Sequence, residues 1–275
     1  MDKAKKQALP QRLVALGLAD DQKMAQALIM AGKALVNDRP ARAGMQVSPE
    51  DQIRLRGEKS PYLAKGGLKL AGALRRFEIS PAGLICLDAG ASTGGFTDCL
   101  IKHGAKKVYA VDVGYGQLLG SLRQDPRVVN LERTNLSDPV LLALEPRPSF
   151  ATCDLSYLSL KEAVPVYQGI MGGRGRLVCL VKPLFEVDDA QARRSGVIED
   201  KAYAPMLRDL AAFLNGLPGT GVMDVCESPL RGNAGTVEFF FHLLFDQGLS
   251  PPALEAKIAA SVKRALSGPR ENADV

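Results

Sequence analysis

Two lysines and two acidic residues stand beside predicted structural elements of this 275-residue chain. Asp154 and Lys182 each end an apolar, strand-like run, and Glu238 lies inside the last such run. The fourth residue, Lys69, follows a Gly-Gly pair just before the regular pattern begins. Ionisable groups of opposite sign are costly to bury unless they pair, and such groups are the usual place for pKa-tuned chemistry. These four residues are therefore our candidates for catalysis.

A glycine-rich stretch, AGASTGGFT, follows the first apolar run and leads into a predicted helix. Gly90, Gly94 and Gly95 let the backbone turn sharply and approach a ligand closely. Asp88, which ends the first strand, is a candidate acceptor for a charged amino group, and Asp112, which ends the second, suits a ribose diol. The spacing matches neither the GxGxxG pattern nor a P-loop. The loop alone leaves S-adenosylmethionine, another nucleotide or a purely structural turn open.

Strand-like and helix-like segments alternate from residue 84 onward. This alternation predicts a parallel sheet with helices on both faces. The last two strands have no helix between them long enough for a crossover, so we expect them to form an antiparallel pair. The predicted strands are 84–88, 107–112, 128–131, 150–154, 176–182, 221–226 and 237–245, and the predicted helices are 68–77, 95–103, 117–123, 139–144, 160–170, 203–214 and 253–266.

The organisation of the chain suggests two domains. Residues 1–55 fit a basic arm, two short helices and a small hairpin, residues 56–67 concentrate Gly, Pro and charge as a linker, and residues 68–275 form the alternating unit. The first 80 residues hold 15 Lys and Arg against 8 Asp and Glu, a net charge of +7 in a chain whose total is +5. This concentration suggests a polyanion partner, although a solvated basic surface fits the charge equally well.

Several classes of protein are disfavoured. No apolar run approaches the roughly 18 residues of a membrane span, and the basic N-terminus lacks the apolar stretch of a secretory signal. We therefore expect a cytoplasmic protein without stable membrane association. The five cysteines lack CxxC spacing, so we expect buried packing residues. Because His103 and His242 have no Cys or acid pattern beside them, no metal site is predicted.

Five segments of the second unit resemble one known family, the TlyA-like ribosomal RNA 2′-O-methyltransferases of the wider FtsJ/RrmJ-type class. The segments are DAGASTGGFTDCL, VDVGYGQL, DPRVVNLERTN, DLSYLSL and VKPLFE. The N-terminal unit resembles the S4 RNA-binding domain at Leu18, Ala25, Leu28-Ile29, Gly32 and Val36-Asn37. The resemblance implies an α/β fold: a Rossmann-like S-adenosylmethionine-dependent methyltransferase sheet, preceded by a small α+β S4-like RNA-binding domain.

The resemblance also implies an activity and the residues for it. It implies methylation of a ribose 2′-hydroxyl, of cytidine, in ribosomal RNA or ribosomal subunits, with S-adenosylmethionine as cofactor. The implied catalytic tetrad is Lys69, Asp154, Lys182 and Glu238. The residues expected to bind the cofactor are Asp88, Ala89, Gly90, Ser92, Thr93, Gly94, Gly95, Asp112, Val113, Asn135 and Asp154. The basic residues expected to contact RNA phosphates are Lys5, Lys6, Arg12, Lys23, Lys33, Arg39 and Arg42.

Lys182 is the residue that we expect to accept or steer the proton of the attacking hydroxyl. A free lysine, with a pKa of about 10.4, is a poor base at neutral pH. It becomes useful only when desolvation or a second cation lowers its pKa. Lys69 is the candidate second cation, and Asp154 and Glu238 are expected to hold the two amines in place.

Two other functions stay open on the sequence. The chain could be a non-catalytic RNA-binding or ribosome-assembly factor, although a pure binder does not need Lys182 and Glu238. Some members of the family carry a haemolysin label, so a membrane-active cytolysin is the third hypothesis, disfavoured by the lack of an apolar span. The charged segment 183–200 is expected to be either a lid that orders on binding or a surface loop.

Overall fold

The computed structural model describes residues 6–16, 18–37, 39–49, 51–56, 60–232, 235–246, 248 and 250–267. The chain divides into two compact units, whose described parts are residues 6–56 and 60–267. Segment 60–67, expected to be linker, falls in the second unit. Its backbone is bonded there: the Leu63 N–H donates to Asp98 at 2.9 Å, and Lys102 donates to the Pro61 carbonyl at 2.5 Å. Residues 57–59 of the expected linker lie outside the described residues.

The first unit is a small α+β fold. Helix α2 begins at Asp21, whose carboxylate accepts the Met24 N–H at 2.7 Å and so satisfies one free donor of the first turn. Ala25 and Ile29, four residues apart on one face of this helix, pack into the core of the unit. The elements are β1 (Gln7–Ala8), α1 (Leu9–Ala15), α2 (Gln22–Met30), β2 (Ala34–Val36), β3 (Arg39–Pro40), β4 (Gln46–Val47) and β5 (Ile53–Leu55). Strand β2 pairs antiparallel with β3 and β5, and β1 with β4. Its assignment as an S4-like domain stays a prediction.

The basic residues expected to contact RNA differ in exposure. Lys6, Lys23, Lys33, Arg39 and Arg42 are exposed. Arg12 is half-buried and donates to the Pro49 carbonyl at 3.2 Å. Lys5 lies outside the described residues.

The second unit contains a seven-stranded sheet in the order β11-β12-β10-β9-β6-β7-β8. Its strands are β6 (Ile85–Ala89), β7 (Lys107–Asp112), β8 (Val128–Glu132), β9 (Phe150–Cys153), β10 (Gly175–Val181), β11 (Thr220–Glu227) and β12 (Phe239–Phe245). Neighbouring strands from β10 to β8 are parallel, whereas β12 is antiparallel to both β10 and β11. This sheet confirms the predicted α/β class, and the late antiparallel pair is also confirmed.

Helices cover both faces of the sheet, as the sequence predicts. They are α3 (Lys65–Phe77), α4 (Gly95–Lys102), α5 (Gly120–Arg123), α6 (Leu160–Ile170), α7 (Pro183–Glu186), α8 (Ala190–Ser195), α9 (Tyr203–Asn215) and α10 (Glu255–Ser267). Alternate residues of one strand face opposite sides: Leu87 packs in the core beneath α6 and α9, and Cys86 in the core beneath α3 and α4. All five cysteines are free and buried, as predicted.

The strand ends differ from prediction by one or two residues at three important positions. Strands β9 and β10 end just before Asp154 and Lys182, and β12 begins just after Glu238. The three side chains are therefore in loops at the strand ends, where they are less constrained by the alternation of the sheet.

Two other segments differ from prediction in type. The predicted helix 139–144 is a 3₁₀-helix, Pro139–Ala143, that begins on a capping bond from the Val140 N–H to Asp138. Segment 183–200 is not a featureless loop, because it contains α7 and α8. Among the residues that the structure describes, no helix is both long and apolar enough to cross a bilayer.

Candidate active site

A cleft opens where β6, β7 and β9 end at the carboxyl edge of the sheet, the edge at which open α/β sheets bind ligands. Its lining combines apolar side chains with a few polar groups, the usual composition of a small-molecule site. The lining residues are Ala89, Gly90, Ser92, Val111, Asp112, Val113, Gln117, Thr134, Leu136, Asp154, Leu155, Ser156 and Tyr157.

The cleft contains about half of the residues that the sequence assigns to cofactor binding. Those that line it are Ala89, Gly90, Ser92, Asp112, Val113 and Asp154. Those that do not are Asp88, Thr93, Gly94, Gly95 and Asn135.

At Gly90 the end of β6 lies close to the end of β9. The φ of Gly90 is +84°, and a Cβ built there would lie 2.4 Å from the backbone oxygen of Asp154. The Gly90 and Ala91 N–H groups both donate to the Val111 carbonyl, at 2.9 and 3.1 Å. Only glycine fits this turn, which leaves a narrow backbone cradle open at the cleft.

Asp112 holds the far side of the cradle. One carboxylate oxygen accepts the Ser92 N–H at 2.8 Å, and the other accepts the Gly114 N–H at 2.7 Å. Each oxygen keeps a second lone pair, which suits the two hydroxyls of a ribose. The cradle and this carboxylate fit the nucleoside portion of S-adenosylmethionine.

Asp88 does not line the cleft, so its expected contact with the cofactor stays a prediction that the position of its side chain does not support. It is fully buried, and its oxygens accept from the hydroxyls of Thr97 (2.6 Å) and Thr152 (3.0 Å). Burial raises its pKa to about 6, opposed by these hydrogen bonds. Asn135 likewise turns away, because its side-chain oxygen accepts the N–H and hydroxyl of Ser137, both at 3.0 Å.

The remaining three predicted residues also support the loop rather than line the cleft. A Cβ on Gly94 would lie in the side chain of Leu122. Gly95 begins α4 and packs on the start of α3, where its Cβ would lie 3.1 Å from the Gly67 nitrogen. Thr93 accepts a backbone hydrogen bond at its carbonyl from the segment leading into α5. The glycines thus set helix packing around the loop.

Gln117 is a lining residue that sequence reasoning missed, although it lies in the segment VDVGYGQL. Its side-chain oxygen accepts from the Ser92 hydroxyl at 3.2 Å. The N–H groups of Gln117 and Leu118 donate to Glu132 at 3.0 and 3.3 Å. The backbone at these two residues is therefore hydrogen-bonded to a side chain. The helix predicted to begin at residue 117 begins at Gly120.

Lys182 is held at the edge of the cleft by two lining residues. Its Nζ lies 2.7 Å from Asp154 Oδ1 in an ion pair, and it donates a hydrogen bond to the Ser156 hydroxyl, also at 2.7 Å. The Lys182 and Asp154 side chains are 18% and 26% exposed, so a substrate can reach them. Ser156 was not identified from the sequence, because the hydrogen bond joins residues 26 positions apart.

Lys69 and Glu238 form a second, more buried ion pair. Lys69 Nζ lies 2.5 Å from Glu238 Oε2, with the side chains 12% and 6% exposed. Burial raises the pKa of Glu238, and the ammonium of Lys69 opposes that shift. Asp154 raises the pKa of Glu238 further and Lys182 lowers it, so the two ion pairs are within electrostatic reach of each other. The structure thus brings the four predicted catalytic residues together, and their catalytic roles stay predictions.

Replacing Lys69 by methionine is expected to make the stability of the protein depend on pH. Without Lys69, the Glu238 carboxyl would lose the cation that opposes the rise in its pKa. Its pKa in the folded state would then lie above the ordinary value that it has in the unfolded state, so the folded state would bind the proton more tightly. Stability contributed by that proton is present at low pH and is lost as pH rises through the folded-state pKa. We expect a loss of about 3 kcal/mol at pH 8, since one member of a buried pair has been removed, and a smaller loss at pH 5, measured by urea unfolding.

A matched control is Lys257→Met, which removes the cation of an exposed ion pair with Asp224. Surface pairs of this kind contribute about 0–1 kcal/mol, so its effect should be small at both pH values. An equal loss at pH 5 and pH 8 for Lys69→Met would contradict the assignment of a buried, proton-binding Glu238.

Metal ligands are not grouped in the part of the chain that the structure describes, where no three or more His, Cys, Asp or Glu side chains are placed to hold an ion. The Nδ1–H of His103 donates to the Cys99 carbonyl oxygen at 2.8 Å. His242 is buried on β12, and burial lowers its pKa to about 4. Both histidines are packing residues.

The carboxyl edge of this sheet, with its backbone cradle and the Asp112 carboxylate, has the features of an α/β enzyme domain that binds a nucleoside-containing cofactor. The chain belongs to the FtsJ-like methyltransferase family, whose family model matches residues 62–245. It is therefore an enzyme of methyl transfer, and its cofactor is S-adenosylmethionine, as the sequence predicts.

Relatives with known names match nearly the whole chain. The "16S/23S rRNA (cytidine-2'-O)-methyltransferase TlyA" of Mycobacterium tuberculosis is 40% identical over 269 residues, which cover 96% of this chain and 98% of the relative. The "Putative rRNA methyltransferase YqxC" of Bacillus subtilis is 38% identical over 244 residues, 87% of this chain and 86% of the relative. A solved structure described as "Putative hemolysin from Streptococcus thermophilus" is 34% identical, with a TM-score of 0.71 and coverage of 97% and 98%. The TlyA resemblance found in the sequence is confirmed.

Proposed function

We propose that this enzyme transfers a methyl group from S-adenosylmethionine to the 2′-hydroxyl of a cytidine ribose in ribosomal RNA. The observation that carries the proposal is Asp154, which lines the cofactor cleft and pairs with Lys182 at 2.7 Å. The lysine amine is thereby held at the rim of the cleft that takes the methyl donor. The name of the Mycobacterium tuberculosis relative, 40% identical, supports the nucleotide and the atom.

Lys182 removes the proton that the attacking hydroxyl must lose. S-adenosylmethionine, when bound, supplies a methyl carbon made electrophilic by its sulfonium. As the hydroxyl attacks, its O–H bond would break and the proton would pass to the Lys182 amine, while the methyl group that S-adenosylmethionine would supply would be bonded to the ribose oxygen and the donor would leave as a neutral thioether. Asp154 stabilises the ammonium that results, and positioning of the two reacting atoms supplies much of the remaining acceleration.

Lys69 and Glu238 form the outer half of the site. Their ion pair is more buried than that of Lys182 and Asp154, so its charges are poorly screened by solvent. Both Lys69 and Lys182 lower the pKa of Glu238, so Lys69 lies within electrostatic reach of the first ion pair. Glu238 balances Lys69 and limits the cost of burying it.

The first unit serves as an S4-like RNA-binding domain. Its exposed lysines and arginines are suited to phosphates, and such contacts position RNA without reading its sequence. The segment between the two domains falls within residues 56–67. The substrate is ribosomal RNA, either free or in ribosomal subunits, and the enzyme acts in the cytoplasm.

The decisive experiment uses ribosomal RNA and purified subunits from cells that lack this gene. We expect transfer of labelled methyl from S-adenosylmethionine to RNA, recovered as 2′-O-methylcytidine after digestion to nucleosides and mass spectrometry. Methyl groups found on a base would contradict the proposed atom. RNA binding without any transfer would instead favour the non-catalytic assembly factor.

A further inference from the structure

The Ser156 hydroxyl is free of the local roles that serine usually has in a loop. Serine side chains before a helix commonly bond to nearby backbone groups. In this loop that role belongs to Ser159, which caps α6 by accepting the Lys161 N–H at 3.2 Å. Ser156 lies three residues earlier, is exposed, and accepts from Lys182 Nζ at 2.7 Å. Its contact with Lys182 is therefore long-range and specific.

The loops that carry Ser156 and Lys182 are tied together at a second point. Glu186, four residues after Lys182, accepts from the Ser159 hydroxyl at 2.7 Å and from the Leu160 N–H at 2.9 Å. Glu186 is largely buried, and burial raises its pKa although both hydrogen bonds oppose the shift. These two hydrogen bonds join the loops independently of the Lys182–Ser156 contact, so they support the approach of Ser156 to Lys182.

Lys182 must act as a neutral amine in the proposed reaction, and its Nζ has two partners of different kinds. That amine has two N–H groups and one lone pair, whereas the ammonium has three donors and no acceptor. Within the described residues, Nζ donates a hydrogen bond to the Ser156 hydroxyl and is paired with Asp154 Oδ1 by charge and distance alone. Ser156 is therefore the partner that directs an N–H of this amine. Because both partners line the cleft, the amine is held at its rim.

We propose that Ser156 is a positioning residue for Lys182, whose hydroxyl accepts one N–H of the amine and so directs the lone pair to the attacking 2′-hydroxyl. This inference rests on the proposed function. The ion pair with Asp154 leaves the amine free to rotate about the Cε–Nζ bond, because it directs no N–H. The hydrogen bond to Ser156 restricts that rotation, and orientation of this kind is worth on the order of 100-fold in rate.

The test compares Ser156→Ala with Ser156→Thr in the full-length enzyme acting on ribosomal RNA. Ser156→Ala is expected to lower kcat by about 10-fold to 100-fold while the KM values for S-adenosylmethionine and RNA stay within about twofold. Ser156→Thr keeps a hydroxyl on Cβ and should recover most of the loss. Ser195→Ala, which removes an exposed serine hydroxyl on α8, is the matched control and should leave kcat unchanged.

A double-mutant cycle separates positioning from a structural effect. In a Lys182→Ala background, Ser156→Ala should cause no further loss, because the group that it positions is gone. An additive loss in that background would overturn the inference, as would full activity of Ser156→Ala in a wild-type enzyme that methylates RNA. If the wild-type enzyme transfers no methyl group to RNA, the proposed function itself fails, and that outcome is seen before any Ser156 variant is compared.

Discussion

The Lys182→Ala enzyme is expected to bind S-adenosylmethionine with near-normal affinity and to transfer methyl groups on the order of 1,000-fold more slowly. The Lys182 side chain does not line the cofactor cleft, so the cofactor contacts are left intact. The amine that takes the hydroxyl proton is removed, and alanine offers no replacement. Asp154 is 26% exposed, so water can solvate it once its partner is gone. Binding is measured by calorimetry, and transfer by label incorporation into ribosomal RNA.

The matched control is Lys201→Ala, which removes an exposed lysine paired with Glu199. That variant should transfer methyl groups at the wild-type rate. If a folded Lys182→Ala protein had near-normal turnover, another base would have to accept the hydroxyl proton. Lys69 is the alternative among the four predicted catalytic residues. Lys69 is the weaker candidate, because its ammonium is bonded to a buried carboxylate and is itself 12% exposed.

Short-range patterns were sufficient to predict the sheet and to place Asp154 and Lys182 at strand ends. A buried parallel strand is a run of apolar residues, and the residue that ends it lies at the carboxyl edge. Asp154 and Lys182 end such runs in neighbouring parallel strands, β9 and β10, so their approach follows from topology. The position of β12 between β10 and β11 does not follow from local pattern alone. The local pattern predicts that β11 and β12 pair, but it does not identify β10 as the other neighbour of β12.

Contacts between distant side chains account for most of what the sequence did not predict. The sequence predicts a ligand contact for Asp88 because this residue ends a predicted strand beside a glycine-rich loop. Its partners Thr97 and Thr152 lie 9 and 64 positions away, and only the fold reveals that they enclose it. Glu238 reads as part of a strand because Val237 precedes it and phenylalanines follow, yet the ladder with β10 begins at Phe239. The Glu238 side chain is paired with Lys69, a contact between residues 169 positions apart that no local pattern indicates.

The glycine-rich loop is a case in which the sequence signal was correct for a partly different reason. Three glycines were taken to approach a ligand, but only Gly90 lines the cleft. Gly94 and Gly95 instead allow close packing of α4 against its neighbours. A glycine in a sequence indicates that a backbone needs space or an unusual φ, and it does not say whether a ligand or another segment of the chain requires it.

Gly90→Ala is therefore the substitution that we expect to affect cofactor binding most. An alanine at φ +84° carries a backbone cost of about 1–2 kcal/mol, and its Cβ would lie 2.4 Å from the Asp154 carbonyl oxygen. The end of β9 must move to relieve that clash, and Asp154 moves with it. We expect affinity for S-adenosylmethionine to fall by on the order of 100-fold, and methyl transfer at least as much, since displacements of about 1 Å have effects of that size.

Gly83→Ala separates the clash from the backbone cost, because Gly83 also has a positive φ, +73°, with nothing within 4 Å of its Cβ position. Both variants should lose the backbone contribution to the free energy of unfolding, measured by urea denaturation, but only Gly90→Ala should lose the cofactor, measured by calorimetry. Equal cofactor affinity in the two variants would mean that the turn at Gly90 does not form the cradle. A loss confined to Gly90→Ala would show that the close approach of β6 and β9, rather than the flexibility of glycine, shapes the site where the methyl donor binds.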